Sequence, residues 1–71
     1  ALVEMEAPKR CLGQPLGELA SRKKYGVTIV SIKPPGGEFQ HTDQSTILQP
    51  GELILLAGKP ANLDKFVIDA E

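Results

Sequence analysis

His41 and Cys11 carry the most reactive side chains of this sequence, and neither has the company that catalysis requires. His41 is the only histidine. A nucleophile needs a base within reach and the base needs an orienting group, yet no Gly-x-Ser-x-Gly elbow or comparable context surrounds it. A structural zinc site takes a full set of Cys and His ligands, whereas the chain holds one of each. His41 with Asp43 leaves a weaker metal site shared across a dimer, or a polar pair in a surface loop. Cys11 has no second cysteine to pair with, so it reads as a buried, inert thiol in a reducing compartment. Phosphate-cradling loops need Gly-x-Gly-x-x-Gly or a Walker pattern between strand and helix. Gly36-Gly37 instead follows two prolines, and Gly58-Lys59-Pro60 lacks both the upstream glycine and the hydroxyl residue. The cations of Arg22-Lys23-Lys24 are of a kind that meets phosphates or acidic lipid, but at a helix end they read as a solvated face serving the macrodipole. No catalytic residue is assigned, and by elimination the function is binding.

Bulk composition agrees with a binding role. At 71 residues there is room for one domain, and a domain this small buries only about 60% of its unfolded surface; a dimer interface would add to that. Hydrophobic residues make up 41% and charged residues 24%, an ordinary globular composition. The longest apolar run, Leu53 to Gly58, is far too short to cross a bilayer. A net charge of -1, with two Phe and one Tyr, offers neither a field nor a stacking platform for nucleic acid. The chain begins with Ala1 and shows no signal peptide, so it is expected to be a piece of a longer protein.

The elements that must position these residues follow from periodicity. Val3, Met5 and Ala7 alternate with Glu4 and Glu6, a half-exposed strand ended by Pro8. After a loop around Cys11 and Gly13, Pro15 opens a helix carrying Leu16, Leu19 and Ala20, with Gly26 as its left-handed cap. Val27 to Ile32 is a β-branched strand, with Val27 and Ile29 on one face and Val30 and Ile32 on the other. Pro34-Pro35-Gly36-Gly37 makes a turn, and Glu38 to His41 returns as the second arm of a hairpin. Asp43, Gln44 and Ser45 form a polar loop, Thr46 to Leu48 a brief extended stretch, and Pro50-Gly51 a further type II turn. Leu53 to Ala57 is a strand apolar on both faces. Leu63, Phe66, Val67 and Ala70 recur at helical spacing and close the chain. The predicted class is α+β, a small βαβββα domain with a mixed or antiparallel sheet. Because two strands are apolar on both sides, either the helices divide between the faces or a partner covers one, and a homodimer is the simplest partner.

The stretch from Tyr25 to Gly58, together with Gly13, Pro15, Leu16 and Leu19, resembles the TrkA C-terminal (RCK-C) domain. A helix closes at Gly26, Val27-Thr28 begins a strand, and Pro50-Gly51-Glu52 introduces a final apolar strand that closes at Gly58. The family usually has Gly-Asp where this chain has Gly51-Glu52, and often an arginine where Lys33 is followed by Pro34. The resemblance spans nearly the whole chain, so residues 1–71 are expected to form one such domain. It implies a non-catalytic cytoplasmic regulator at the inner face of the membrane, attached to a potassium channel or transporter, dimeric, and requiring no cofactor. It also implies a small effector, cyclic di-AMP in some members, held between two protomers; the alternative is a purely structural dimerisation module. For the ligand site the hairpin supplies Ile32 as apolar floor, Lys33 as phosphate-facing cation, and Phe39, Gln40 and His41 for stacking and hydrogen bonding. Each has a plain structural alternative: Ile32 as core, Lys33 as a solvated strand end, Phe39 as hairpin packing.

Overall fold

The computed structural model of the chain describes residues 1–19 and 21–70, without the side chain of Ala70. Strands β1 (Leu2–Glu6), β2 (Thr28–Lys33), β3 (Gln40–His41) and β4 (Leu53–Ala57) form one sheet in the order β1-β4-β2-β3. Every pairing is antiparallel. Helical segments α1 (Leu16–Leu19) and α2 (Ser21–Lys24) precede β2, and α3 (Pro60–Ala70) closes the chain. The element order is the one periodicity predicts. Ala20 and the side chain of Ala70, assigned by that periodicity to the buried helix faces, lie outside the described residues.

Apolar residues explain why the layers stack as they do. In β1, Val3 and Met5 turn inward while Glu4 and Glu6 stay exposed. Ile54 and Leu56 of β4 meet them across the sheet, and Leu63 and Phe66 of α3 close over the same face in one buried cluster. Leu16 and Leu19 of α1 pack against that cluster too. The helices therefore share one face and do not divide between two, which leaves the opposite face of the sheet open.

Strand β2 departs from simple alternation. Its register against β4 slips between Ile29 and Ser31, where Ile29 faces Leu56 and Ser31 faces Leu55. Val30 is the extra residue of a β-bulge, and at 41% exposure it stands outside. Beyond the bulge the faces exchange, so Ile29 and Ile32 both enter the core. Val30 and Ile32 thus do not share a face, and β2 presents only one fully apolar side. The Thr42 hydroxyl donates to the carbonyls of Ile29 at 3.0 Å and Val30 at 3.4 Å, satisfying acceptors that the broken ladder leaves behind.

Turns complete the frame. Gly37 N–H donates to Pro34 O at 2.9 Å and Glu52 N–H to Gln49 O at 3.3 Å, with Gly36 and Gly51 at φ of 71° and 84°; the third residue of a type II turn needs this left-handed conformation, which glycine adopts without penalty. In the second turn Glu52 is only 6% exposed, and its Oε1 accepts the Gln49 N–H at 2.6 Å. That carboxylate locks its own turn ahead of β4. Glu52→Ala would leave the part-buried Gln49 donor unsatisfied, at a cost of about 1–3 kcal/mol, whereas Glu52→Gln keeps an acceptor and should cost less; urea unfolding of the two variants measures the difference.

Candidate functional site

The β2–β3 hairpin is built by the turn over Pro34 to Gly37, and its register places Ser31 opposite His41 and Ile32 opposite Gln40. As the last strand of the sheet, β3 offers a row of backbone donors and acceptors on its outer side. Ile32, 7% exposed, belongs to the core. Lys33 is half-buried at the end of β2 opposite Leu53, and Phe39, Gln40 and His41 are exposed. The structure therefore puts Gln40 and His41 on the sheet edge, Phe39 just ahead of them and Lys33 at the end of the neighbouring strand, while Ile32 is buried in the core. Gln40 and His41 are consecutive in the strand and project to opposite faces. A ligand touching both must wrap around the edge or meet each from a different protomer.

The open face of the sheet begins at this edge. Leu53, Leu55 and Ala57 of β4 are half-buried there, Leu2 is 66% exposed, and Val30 joins them from the bulge. Glu4 and Ser31 flank Leu55 on either side, so an apolar stripe runs between polar margins.

A second concavity lies between the helical segments and the loop after β3. It measures about 470 Å³, with Gly17, Arg22 and Lys23 on one wall, Thr28 and Ile29 at its base, and Asp43 on the other wall. Asp43 organises that loop. Its Oδ1 accepts from the Ser45 N–H at 2.9 Å, the Ser45 hydroxyl at 2.7 Å and the Thr46 hydroxyl at 3.2 Å. The Ser45 contacts above all hold the carboxyl below its ordinary range. The basic run is exposed, as the sequence reading has it, and two of its members, Arg22 and Lys23, also line this cleft. The third, Lys24, has its ammonium 5.3 Å from the centre of the Tyr25 ring. No sequence signal marks this cleft, because its second wall arrives only when the loop folds back.

Cys11 is fully buried, and burial pushes its thiol pKa up despite the nearby Arg10, which keeps it protonated and unreactive at neutral pH. Among the described residues no group of three or more His, Cys, Asp or Glu converges as metal ligands. No helix among them is long and apolar enough to cross a membrane.

The sequence profile of the TrkA-C domain matches residues 1–67. The chain belongs to the TrkA-C domain family. Solved structures with this fold include domains of potassium transport proteins. This TrkA-C domain is similar to the RCK C domain of the potassium transport protein KtrA in complex with cyclic diadenosine monophosphate, with 28% identity and a TM-score of 0.86 over 97% of this chain and 81% of that one. It is also similar to the GsuK channel bound to NAD, with 24% identity and a TM-score of 0.86, where 99% of this chain covers 13% of the channel chain. The RCK_C domain dimer of S. agalactiae BusR in complex with cyclic di-AMP has the same fold, at 23% identity and a TM-score of 0.81 over 99% of this chain and 89% of that one. BusR has also been solved with promoter DNA. No curated protein matches significantly by sequence. The family is one of regulatory domains, and the four-stranded sheet with its helices is the predicted α+β fold.

Proposed function

We propose that this TrkA-C domain is a non-catalytic regulatory module on the cytoplasmic side of a potassium channel or transporter, and that it binds cyclic di-AMP between two copies of itself. The observation that carries this reading is its similarity, at 28% identity over 97% of its length, to a KtrA RCK C domain in complex with that ligand. The ligand would lie along the β2–β3 edge. Lys33 would face a phosphate, Phe39 would stack on a base, and Gln40 and His41 would hydrogen-bond base edges from opposite sides of the strand, one from each protomer. A ligand on a two-fold axis sees the same edge twice, so a few contacts per chain suffice. It regulates only if it binds one dimer geometry better than another, which is the condition for gating an attached pore.

DNA does not enter this reading. The domain carries a net charge of -1, and electrostatic attraction to phosphates dominates DNA affinity.

Calorimetric titration of the chain with cyclic di-AMP is expected to release heat with one ligand per dimer, and Lys33→Gln should weaken binding by about tenfold, the loss of one charge-assisted contact. No heat with cyclic dinucleotides, mononucleotides or metal ions would leave the second reading standing, a dimerisation module without a ligand. The apolar open face, which needs no ligand to bury it, is what favours that alternative.

A further inference from the structure

The cleft beside α2 is separate from the hairpin site and lies within one protomer. Its volume of about 470 Å³ falls in the range of small-molecule pockets, about 300–1,000 Å³. Three features of its lining select a ligand. Arg22 and Lys23, adjacent in sequence on α2 and both exposed, line the cleft, and a guanidinium and an ammonium are the groups that suit a phosphate, which takes a planar fork and a point charge. Half-buried Leu16, with the largely buried Ile29 behind it, supplies apolar surface of the kind that packs against the face of a planar ring. On the far wall the hydrogen bonds accepted by the Asp43 carboxylate fall on Oδ1, and Oδ2 is an acceptor suited to a sugar hydroxyl or an exocyclic amine.

The charges of Arg22, Lys23 and Asp43 sum to one net positive charge, so the cleft favours an anion carrying a donor at its other end over a simple dication or an uncharged solute. Gly17 keeps the entrance narrow. A Cβ there would stand 3.2 Å from the Gln44 Cβ, and its N–H already donates to Gln44 O at 3.0 Å. The helical wall and the loop wall are thereby tied together at one end by backbone.

We infer that this cleft is a binding site for a nucleoside 5′-monophosphate, with the phosphate on Arg22 and Lys23, the ring over Leu16 and Ile29, and the ribose or base amine on Asp43. It is independent of the dimer-interface reading, because every residue involved belongs to one chain and none is Ile32, Lys33, Phe39, Gln40 or His41.

Amide-resolved NMR titration of the 71-residue chain with AMP tests the inference, with inorganic phosphate and adenosine as separate probes. AMP is expected to shift the amides of residues 16–17, 22–23, 28–29 and 42–44, and to bind about tenfold more tightly than either probe alone. The double variant Arg22→Gln/Lys23→Gln should weaken AMP by about tenfold or more with an unchanged spectrum in the core, while Lys33→Gln leaves AMP binding as it was. Asp43→Asn should weaken AMP and adenosine together but not phosphate. Shifts confined to residues 33–41, equal affinity for phosphate and AMP, or an Arg22/Lys23 double variant that binds normally would each overturn the assignment.

Discussion

Replacing Phe66 with Ala should unfold this domain or bring it close to unfolding. Phe66 is 1% exposed, and removal of a buried Phe side chain costs about 3–5 kcal/mol through lost transfer energy and the cavity left behind. Two further contacts go with it. The Tyr25 ring meets Phe66 edge-on, with centroids 5.3 Å apart and planes at 82°, and the Arg10 guanidinium lies 5.0 Å from the Phe66 centroid and 5.3 Å from that of Tyr25. Arg10 also donates to the Phe66 carbonyl at 3.5 Å, while the Tyr25 hydroxyl donates to Asp69 at 2.9 Å. Phe66 is thus where α3, the short 3-10 turn of Lys9–Cys11 and the entry to β2 are fastened together. A domain of 71 residues has a total stability of about 4–11 kcal/mol, so the loss consumes a large part of it. Thermal unfolding followed by circular dichroism is expected to shift down by about 15 °C or more, or to show no folded baseline. Ile68→Ala, two positions along the same helix but 68% exposed, should melt within a few degrees of the parent. A Phe66→Ala protein that melted like the parent would mean that α3 contributes little to the core.

The part of this architecture that sequence reveals is the part governed by local chemistry. Alternation placed Val3 and Met5 inside, Pro-Gly pairs marked the turns at Pro34 and Pro50, and helical spacing placed Leu63 and Phe66 on a common face. The bulge at Val30 is different in kind. Nothing in Val-Thr-Ile-Val-Ser-Ile distinguishes Val30 from its neighbours, and the slip exists because β4 offers Leu56 to Ile29 and Ile54 to Ile32, while Thr42 stands ready to satisfy the freed carbonyls. The same reason hid two other features. Glu52 enters the sequence reading only as the acid of Pro50-Gly51-Glu52, and its burial follows from a partner in the backbone of its own turn. Arg22 and Lys23 read as a solvated helix end and are exposed, but sequence does not show that a loop some twenty residues downstream lines the same cleft. At the hairpin, the turn and the return strand were legible from residue chemistry, whereas the assignment of Lys33, Phe39, Gln40 and His41 to a ligand rests on family resemblance. The register adds the one constraint that sequence lacked, that Gln40 and His41 face opposite ways.

Leu55→Lys should convert the dimer to monomers while leaving each monomer folded. With the helices gathered on one face, the other face of the sheet is what a second copy can bury, and Leu55 sits at its middle between Glu4 and Ser31. In a two-fold interface the same patch meets itself, so one substitution places two like charges in the buried centre, where desolvation and their mutual repulsion cost several kcal/mol. Within the monomer the same change is mild. The lysine would stand directly across from Glu4, and an opposite-charge cross-strand pair contributes roughly 0.2–1 kcal/mol, offsetting part of the lost apolar contact. The expected result in sedimentation equilibrium is a rise of at least about a hundredfold in the dimer dissociation constant, with an unchanged circular dichroism spectrum. Cyclic di-AMP binding should fall with it, since a ligand shared by two edges loses half of its contacts when the protomers separate. A Leu55→Lys protein that remained dimeric at the parent's affinity would move the interface away from the open face and onto the β3 edge. There two edge strands can pair through the backbone donors and acceptors that the sheet leaves free, and the ligand would then compete with dimerisation rather than depend on it.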